Sequence, residues 1–353
     1  MGWACHIEGL SAPLGVNATI MSIKVLFIGG TGTISSACTE MAAAKGIDLY
    51  LLRRGISTRP VPDSVHTING DIRDSESVKA AIGDMQFDAV VNWVAFTPEH
   101  ISADIDIFRE HIRQYIFISS ASAYQTPPAS LPVVESTPLR NPYWQYSRDK
   151  IACEDLLVRK YRESGFPMTI VRPSHTYDRT LLPFDGGYTV IDRMRRGKKV
   201  IVHGDGTSLW TITHHRDFAK AFVGLLGNPR AIGEAYHITS DDFYTWDSIV
   251  HIYAQAAGAS PQIVHVPSET IDAYDQRWGA GLLGDKAHSM IFDNTKIKRA
   301  VPDFKATITL SEGASESLEW YDADPERRKV NADTDALMDR IIEAQEKART
   351  ATG

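Results

Sequence analysis

Val25-Leu26-Phe27-Ile28 runs straight into Gly29-Gly30-Thr31-Gly32-Thr33-Ile34-Ser35. A short apolar run ending in glycines, with a helix-compatible segment behind it, predicts strand, tight turn and helix start. That geometry turns backbone N–H groups and the positive end of a helix dipole toward a diphosphate. Gly29 allows the turn, and Gly32 lets the backbone approach a pyrophosphate closely. Ser35 stands where the usual pattern has a third glycine. It is small enough for close helix packing, and its hydroxyl is a candidate phosphate contact.

Downstream the pattern alternates. Helices are expected over 35–45, 75–82 and 98–111, and strands over 49–52, 65–68, 89–94 and 115–119. Such alternation predicts a parallel sheet covered on both faces, with ligands outside the carboxyl ends of its strands. Residues 121–142 carry five prolines and read as loop. A helix over 143–162 and a strand over 168–172 follow. Later helices are expected over 188–196, 216–226, 245–257, 309–321 and 334–348, with strands over 199–202, 234–239 and 263–266. Residues 279–284 read as a flexible turn. The helix over 334–348 is polar enough to be expected on the surface or facing a partner.

The chain has 353 residues, 43% of them hydrophobic, and a formal net charge of −7. That suits one large domain or two unequal ones. The acidic balance disfavours a non-specific nucleic-acid binder, which needs a basic face. No apolar run is long enough to cross a membrane. Cys5, Cys38 and Cys153 lack metal spacing and read as reduced thiols in a cytoplasmic protein. Residues 1–20 are expected to form a poorly ordered leader.

Tyr146-Ser147-Arg148-Asp149-Lys150 places a tyrosine and a lysine four apart, on one face of the predicted helix. A phenol titrates near 10, too high for a proton acceptor at neutrality. A neighbouring ammonium favours the phenolate and lowers that value. Ser119-Ser120-Ala121-Ser122-Ala123-Tyr124 closes the fifth strand, placing a serine hydroxyl at the carboxyl edge of the sheet.

Glycine turn, strand-end serine, then tyrosine and lysine on the next helix: in this order the chain, over roughly residues 24–321, resembles the extended short-chain dehydrogenases/reductases. These are the NAD-dependent epimerase/dehydratase family. The resemblance implies a Rossmann-type doubly wound α/β sheet over 21–174, with 206–240 returning to it. A smaller, mostly C-terminal substrate-binding part would cover 175–205 and 241–330, with a helix or tail over 331–353. It implies Ser120, Tyr146 and Lys150 as the catalytic set, with Ser119 and Ser122 as alternatives to Ser120. Tyr146 would exchange a proton with a substrate hydroxyl or carbonyl, Lys150 would hold the nicotinamide ribose, and Ser120 would bond the reacting oxygen. The implied cofactor cradle comprises Gly29, Gly30, Thr31, Gly32, Thr33, Ile34, Asp71, Ile72, Ala95, Pro173 and His175, together with Tyr146 and Lys150. Substrate contacts are expected from Ser122, Tyr124, His175 and Trp210. A homodimer through the helices over 98–111 and 143–162 is also implied.

Two positions depart from the family pattern. Arg53, with Arg54 beside it, stands where an acid often binds the ribose of NAD, which favours NADP over NAD. Trp210 stands where sugar-nucleotide enzymes usually carry an arginine. An indole stacks on a sugar ring but cannot pair with a diphosphate. Arg193, Arg195 and Arg196 are candidates to compensate. His175, His203, His214 and His215 match no zinc spacing, so no metal is expected. Residues 244–246 read as core or helix-start packing. The expected function is an NAD(P)-dependent oxidoreductase moving hydride at a secondary alcohol or ketone of a sugar-like molecule. The alternatives are a sugar-nucleotide epimerase or dehydratase holding NAD tightly, and a non-catalytic dinucleotide- or RNA-binding relative.

Overall fold

The computed structural model describes residues 22–351; the leader expected over 1–20 and Cys5 lie outside the described residues. Strand β1 (Lys24–Ile28) passes through the glycine turn into helix α1 (Thr33–Ala44). There follow β2 (Asp48–Arg53), β3 (His66–Asn69), α2 (Ser75–Ile82), β4 (Ala89–Asn92), α3 (Pro98–Phe108), β5 (Tyr115–Ile118), α4 (Gln145–Ser164) and β6 (Met168–Pro173). The second half holds β7 (His175–Tyr177), α5 (Tyr188–Arg195), β8 (Lys199–His203), β9 (Leu209–Trp210), β10 (Ile212–His214), α6 (His215–Val223), β11 (Ala235–Ile238) and β12 (Tyr244–Thr245). It continues with α7 (Trp246–Ala256), β13 (Gln262–Val266), α8 (Ser268–Tyr274), α9 (Gln276–Gly281), α10 (Thr295–Ala300), α11 (Leu310–Asp322) and α12 (Ala332–Ala351).

Seven strands form one parallel sheet in the order β11-β6-β5-β4-β1-β2-β3. It is the Rossmann-like sheet the glycine turn implied, with an additional C-terminal region. The strand order reverses between β1 and β4, opening a crevice at their carboxyl ends. Buried parallel strands read as apolar runs because both of their faces are covered. Val25 and Phe27 pack with Ala37, Cys38 and Phe222 of α1 and α6, while Leu26 and Ile28 point to the opposite layer with Ile105, Phe108 and Leu157 of α3 and α4. Gly30 turns the chain at φ +101°, and a Cβ there would meet Leu51 Cδ2 at 2.7 Å. Only glycine lets β1 leave the sheet so close to β2.

Two expectations about the C-terminal region are corrected. Residues 279–284 are no flexible turn: α9 runs directly into a π-helical turn, Leu282–Lys286. Helix α12 is docked, because Met338, Ile341 and Ile342 recur on one face and are buried in the second core with β8, β13 and α7. Arg193, fully buried, fastens that helix by donating to Asp335 Oδ1 at 2.5 Å and Asp339 Oδ1 at 2.7 Å. Arg195 pairs with Asp322, and Arg196 with Asp192 and Asp335. These three arginines therefore serve the fold and do not make up for Trp210.

A buried carboxyl braces the end of β4. Asp104 on α3 accepts from Tyr115 Oη at 2.5 Å and from Asn92 Nδ2, while Asn92 Oδ1 accepts from Val94 N. Burial outweighs both bonds and pushes Asp104 up to about 6, against 3.8 unperturbed. The folded protein thus keeps this proton to higher pH than the unfolded chain. Stability from this group is unchanged below the lower value, falls as pH rises between the two, and levels off above about 6. Asp104→Asn is expected to abolish that fall and raise stability near neutrality by about 2 kcal/mol. Urea unfolding at acid and neutral pH checks it; parallel pH profiles for the two proteins would refute it.

Candidate active site

Two confluent cavities lie over the crevice, sharing Ile34, Ser119, Tyr146 and Pro173 in their walls. The first, about 690 Å³, follows residues 29–35 and extends past Arg53, Arg54, Asp71 and Ile72 on one side and Tyr146 and Lys150 on the other. Its shape follows from the topology. The ends of β2 and β3 lie to one side of β1, and β4, β5 and α4 to the other. Ser35 lines this cavity, and its Oγ accepts from Gly32 N at 2.8 Å, closing its own turn. Ala95 is fully buried, offering its carbonyl to Lys150. Arg59, from the loop after β2, donates to Asp178 Oδ2 at 2.5 Å and Thr180 Oγ1 at 2.8 Å, tying that loop to the chain after β7.

The second cavity, about 310 Å³, is lined by Ser120, Ser122, His175 and Trp210. His175 was expected in both sites and lines only this one. Tyr124 is kept out of it. The ring is fully buried, with Oη 3.0 Å from His237 Nδ1, because its strand-end turn points it into the core. Trp210 is 3% exposed, and its Nε1 has no hydrogen-bond partner. His175 Nε2 is unpartnered as well, and burial lowers its basicity to about 3, so the ring is neutral.

Tyr146 stands where the cavities meet. One turn of α4 separates it from Lys150, whose Nζ lies 5.7 Å from the Tyr146 ring centre. That ammonium donates to the carbonyls of Ala95 at 2.7 Å and Ile118 at 2.8 Å. Burial lowers Lys150 to about 8 and pushes Tyr146 up to about 12. The acidic phenol expected from the spacing is thus corrected: desolvation outweighs the Ser120 hydroxyl that favours the phenolate, and Asp285 opposes ionisation further. Of the three serines, Ser119 is committed to Glu154 Oε1 at 2.5 Å. Ser120 meets Tyr146 and its Oγ lies 2.9 Å from Ser122 Oγ, which in turn accepts from buried Ser147 at 2.7 Å.

Sequence reasoning missed Trp144, Ser147, Asp285 and Lys286. Trp144 packs 4.9 Å from the Tyr146 ring. Asp285 and Lys286 reach the second cavity from the π-helical turn, a feature frequent at functional sites. Gly284 is the one signal for that placement: a Cβ there would meet Trp144 Cβ at 2.7 Å, so the turn seats tightly on the loop before α4. His203, His214 and His215 are spread over separate contacts, with Lys286 O, Glu316 and Thr33 O. Among the described residues no cluster of His, Cys, Asp or Glu is placed to hold a metal, and no helix is long and apolar enough to cross a membrane.

The model of the NAD dependent epimerase/dehydratase family matches residues 25–239. The chain belongs to this family. Among curated relatives it is 25% identical to the chloroplast stem-loop binding protein of 41 kDa b of Arabidopsis thaliana, over 90% of this chain and 84% of that one. It is 23% identical to 2'-dehydrokanamycin reductase of Streptomyces kanamyceticus, over 80% of each. Among solved structures, dTDP-glucose 4,6-dehydratase of Bacillus anthracis in complex with NAD superposes with a TM-score of 0.69 at 19% identity, covering 86% of this chain and 98% of that one. UDP-glucose 4-epimerase of Bifidobacterium longum, in complex with NAD+ and UDP, gives 0.66 at 20% identity, covering 86% and 99%. The first cavity suits the family's dinucleotide. Its glycine turn opens onto the N-terminus of α1, and it is long enough to run from Asp71 to Tyr146.

Proposed function

We propose that this chain is an NADP(H)-dependent reductase acting on the carbonyl of a sugar-like substrate, with Ser120, Tyr146 and Lys150 as its catalytic residues. The observation that carries the reading is Tyr146, held in protonated form at the junction of the two cavities beside the Ser120 hydroxyl. A phenol in that state donates a proton to a developing alkoxide, and Ser120 orients the carbonyl oxygen. The bound nicotinamide supplies the hydride. Residues 29–34 would hold the diphosphate and Asp71 the adenine, while Lys150 would reach the ribose. Arg53 and Arg54 line the first cavity where a 2'-phosphate would lie. The Arg53 Nε is buried without a partner, and Arg54 is mostly exposed, 3.9 Å from Asp71.

Calorimetric titration tests the cofactor half of this reading. NADPH is expected to bind more tightly than NADH, and Arg54→Ala to weaken NADPH by roughly tenfold while sparing NADH. Equal losses for both, or no binding of either, would sink it. The Arabidopsis relative's name supports a second reading, an RNA-binding protein. The net charge of −7 speaks against it. Salt-sensitive retention of an RNA stem-loop, without dinucleotide binding, would favour it.

A further inference from the structure

We infer that the second cavity takes a substrate without a phosphate handle, and that Asp285 is the specificity-determining residue, accepting hydrogen bonds from a hydroxyl or ammonium on the non-reacting part of a sugar-like ring. The inference rests on reading that cavity as the substrate site.

Four observations carry it. Asp285 lines the cavity, half-buried, and its carboxyl accepts no hydrogen bond from any described residue. A carboxylate in a cavity wall with no protein donor is free to accept from a ligand's hydroxyl or ammonium in exchange for water. Burial holds Asp285 at about 6, so it is ionised at neutrality. Next, no arginine lines the cavity, and its sole cation is Lys286. That ammonium lies 6.0 Å from the Trp144 ring centre, makes no hydrogen bond or ion pair with any described residue, and offsets the charge of Asp285. With one carboxylate and one ammonium in its wall the cavity has no net positive charge to hold a diphosphate. Thirdly, the arginines that stood in for the missing pair are all committed: Arg193 and Arg196 to carboxylates of α12, Arg195 to Asp322. Lastly, Trp210, where a guanidinium was expected, lines the cavity as a neutral, buried indole. Indole walls at Trp144 and Trp210 and a carboxylate without a protein donor together match a neutral or cationic polyol ring. The volume of about 310 Å³ is at the small end for ligand pockets.

The test uses the full chain with and without NADPH, and three probes at millimolar concentration: UDP, glucose and glucosamine. Thermal shift and calorimetry read binding. A response to one or both sugars and none to UDP is expected. Asp285→Asn is expected to weaken the sugar about 10- to 100-fold, and to admit UDP, because Lys286 is then unopposed on that side. NADPH affinity is expected to stay unchanged. Asp285 makes no side-chain hydrogen bond within the described fold, so the substitution does not threaten folding; Asp285→Ala serves as a second variant. Glucosamine losing more than glucose marks an ammonium donor; equal losses mark a hydroxyl. UDP binding to the wild type, silence toward both sugars, or a sugar response that Asp285→Asn leaves intact would each overturn the inference. Failure to bind NADPH overturns the reductase reading alone, since the arms without cofactor still report on this cavity.

Discussion

Replacing Tyr146 by phenylalanine is expected to lower turnover by about 10²- to 10⁴-fold, the usual contribution of a positioned proton donor. The substitution removes one oxygen and leaves the ring against Trp144 in place. NADPH affinity and the unfolding midpoint are therefore expected to hold, which separates a chemical role from a structural one. The direction of the effect follows from the protonation state. Burial pushes this phenol up to about 12, so it carries its proton throughout the physiological range and serves as an acid without preparation. Carbonyl reduction should accordingly be flat in pH up to about 8, where Lys150 begins to lose its charge. Alcohol oxidation by the same protein should rise with pH, because it needs the phenolate. The measurement is NADPH consumption against the carbonyl compound the wild type turns over, with the reverse reaction run on the product. A Tyr146→Phe protein that keeps full turnover would end the proposal.

The sequence carried the cofactor half of the molecule farther than the substrate half, for a physical reason. Strands β1, β4 and β5 are covered on both faces and so are apolar except at Lys24 and Asn92. The glycine turn also admits few other residues, as Gly30 shows. Such constraints are local and can be read one segment at a time. The second cavity is assembled from residues far apart in the chain, with Ser120, His175, Trp210 and Asp285 arriving on four elements. No periodicity marks Asp285, and Gly279 to Gly284 looked like punctuation when they form the end of α9 and the start of a π-helical turn. Helix α12 was misread because three apolar residues amid charges suffice to dock a helix when its charges are also paired, as at Asp335 and Asp339. The tyrosine–lysine spacing was read correctly as one face of a helix. The electrostatics were not, because burial cannot be judged from spacing and here it outweighs the Ser120 hydroxyl that favours the phenolate.

Removing the Glu154 carboxylate is expected to be the most damaging single change to the fold. Glu154 on α4 is 2% exposed and accepts from Arg172 Nε at 3.0 Å and Nη2 at 2.5 Å, as well as from the Ser119 hydroxyl. Arg172 is 5% exposed, and its Nη1 also donates to the Glu135 carbonyl. With Glu154→Ala the guanidinium is left charged in the interior with that carbonyl and the Tyr124 side chain, whose ring centre lies 4.7 Å away, and no counter-charge in contact, and Ser119 loses its acceptor. Breaking one partner of a buried pair costs about 3–5 kcal/mol, out of a total near 5–15 kcal/mol for a folded domain. The sequence does not reveal this pair: Arg172 stands in the segment Arg172-Pro173-Ser174-His175, which reads as a cofactor flank, and Glu154 lies on another element in no motif. Glu154→Gln keeps an acceptor without the charge and should fall between wild type and alanine. The double change Glu154→Leu with Arg172→Met should recover most of the loss, because desolvation is then no longer suffered by either charge. Urea unfolding of the four proteins checks this order. Should Glu154→Ala cost less than about 1 kcal/mol, the pair is no better than a surface bridge. Ser119 then owes its position at the end of β5 to something else.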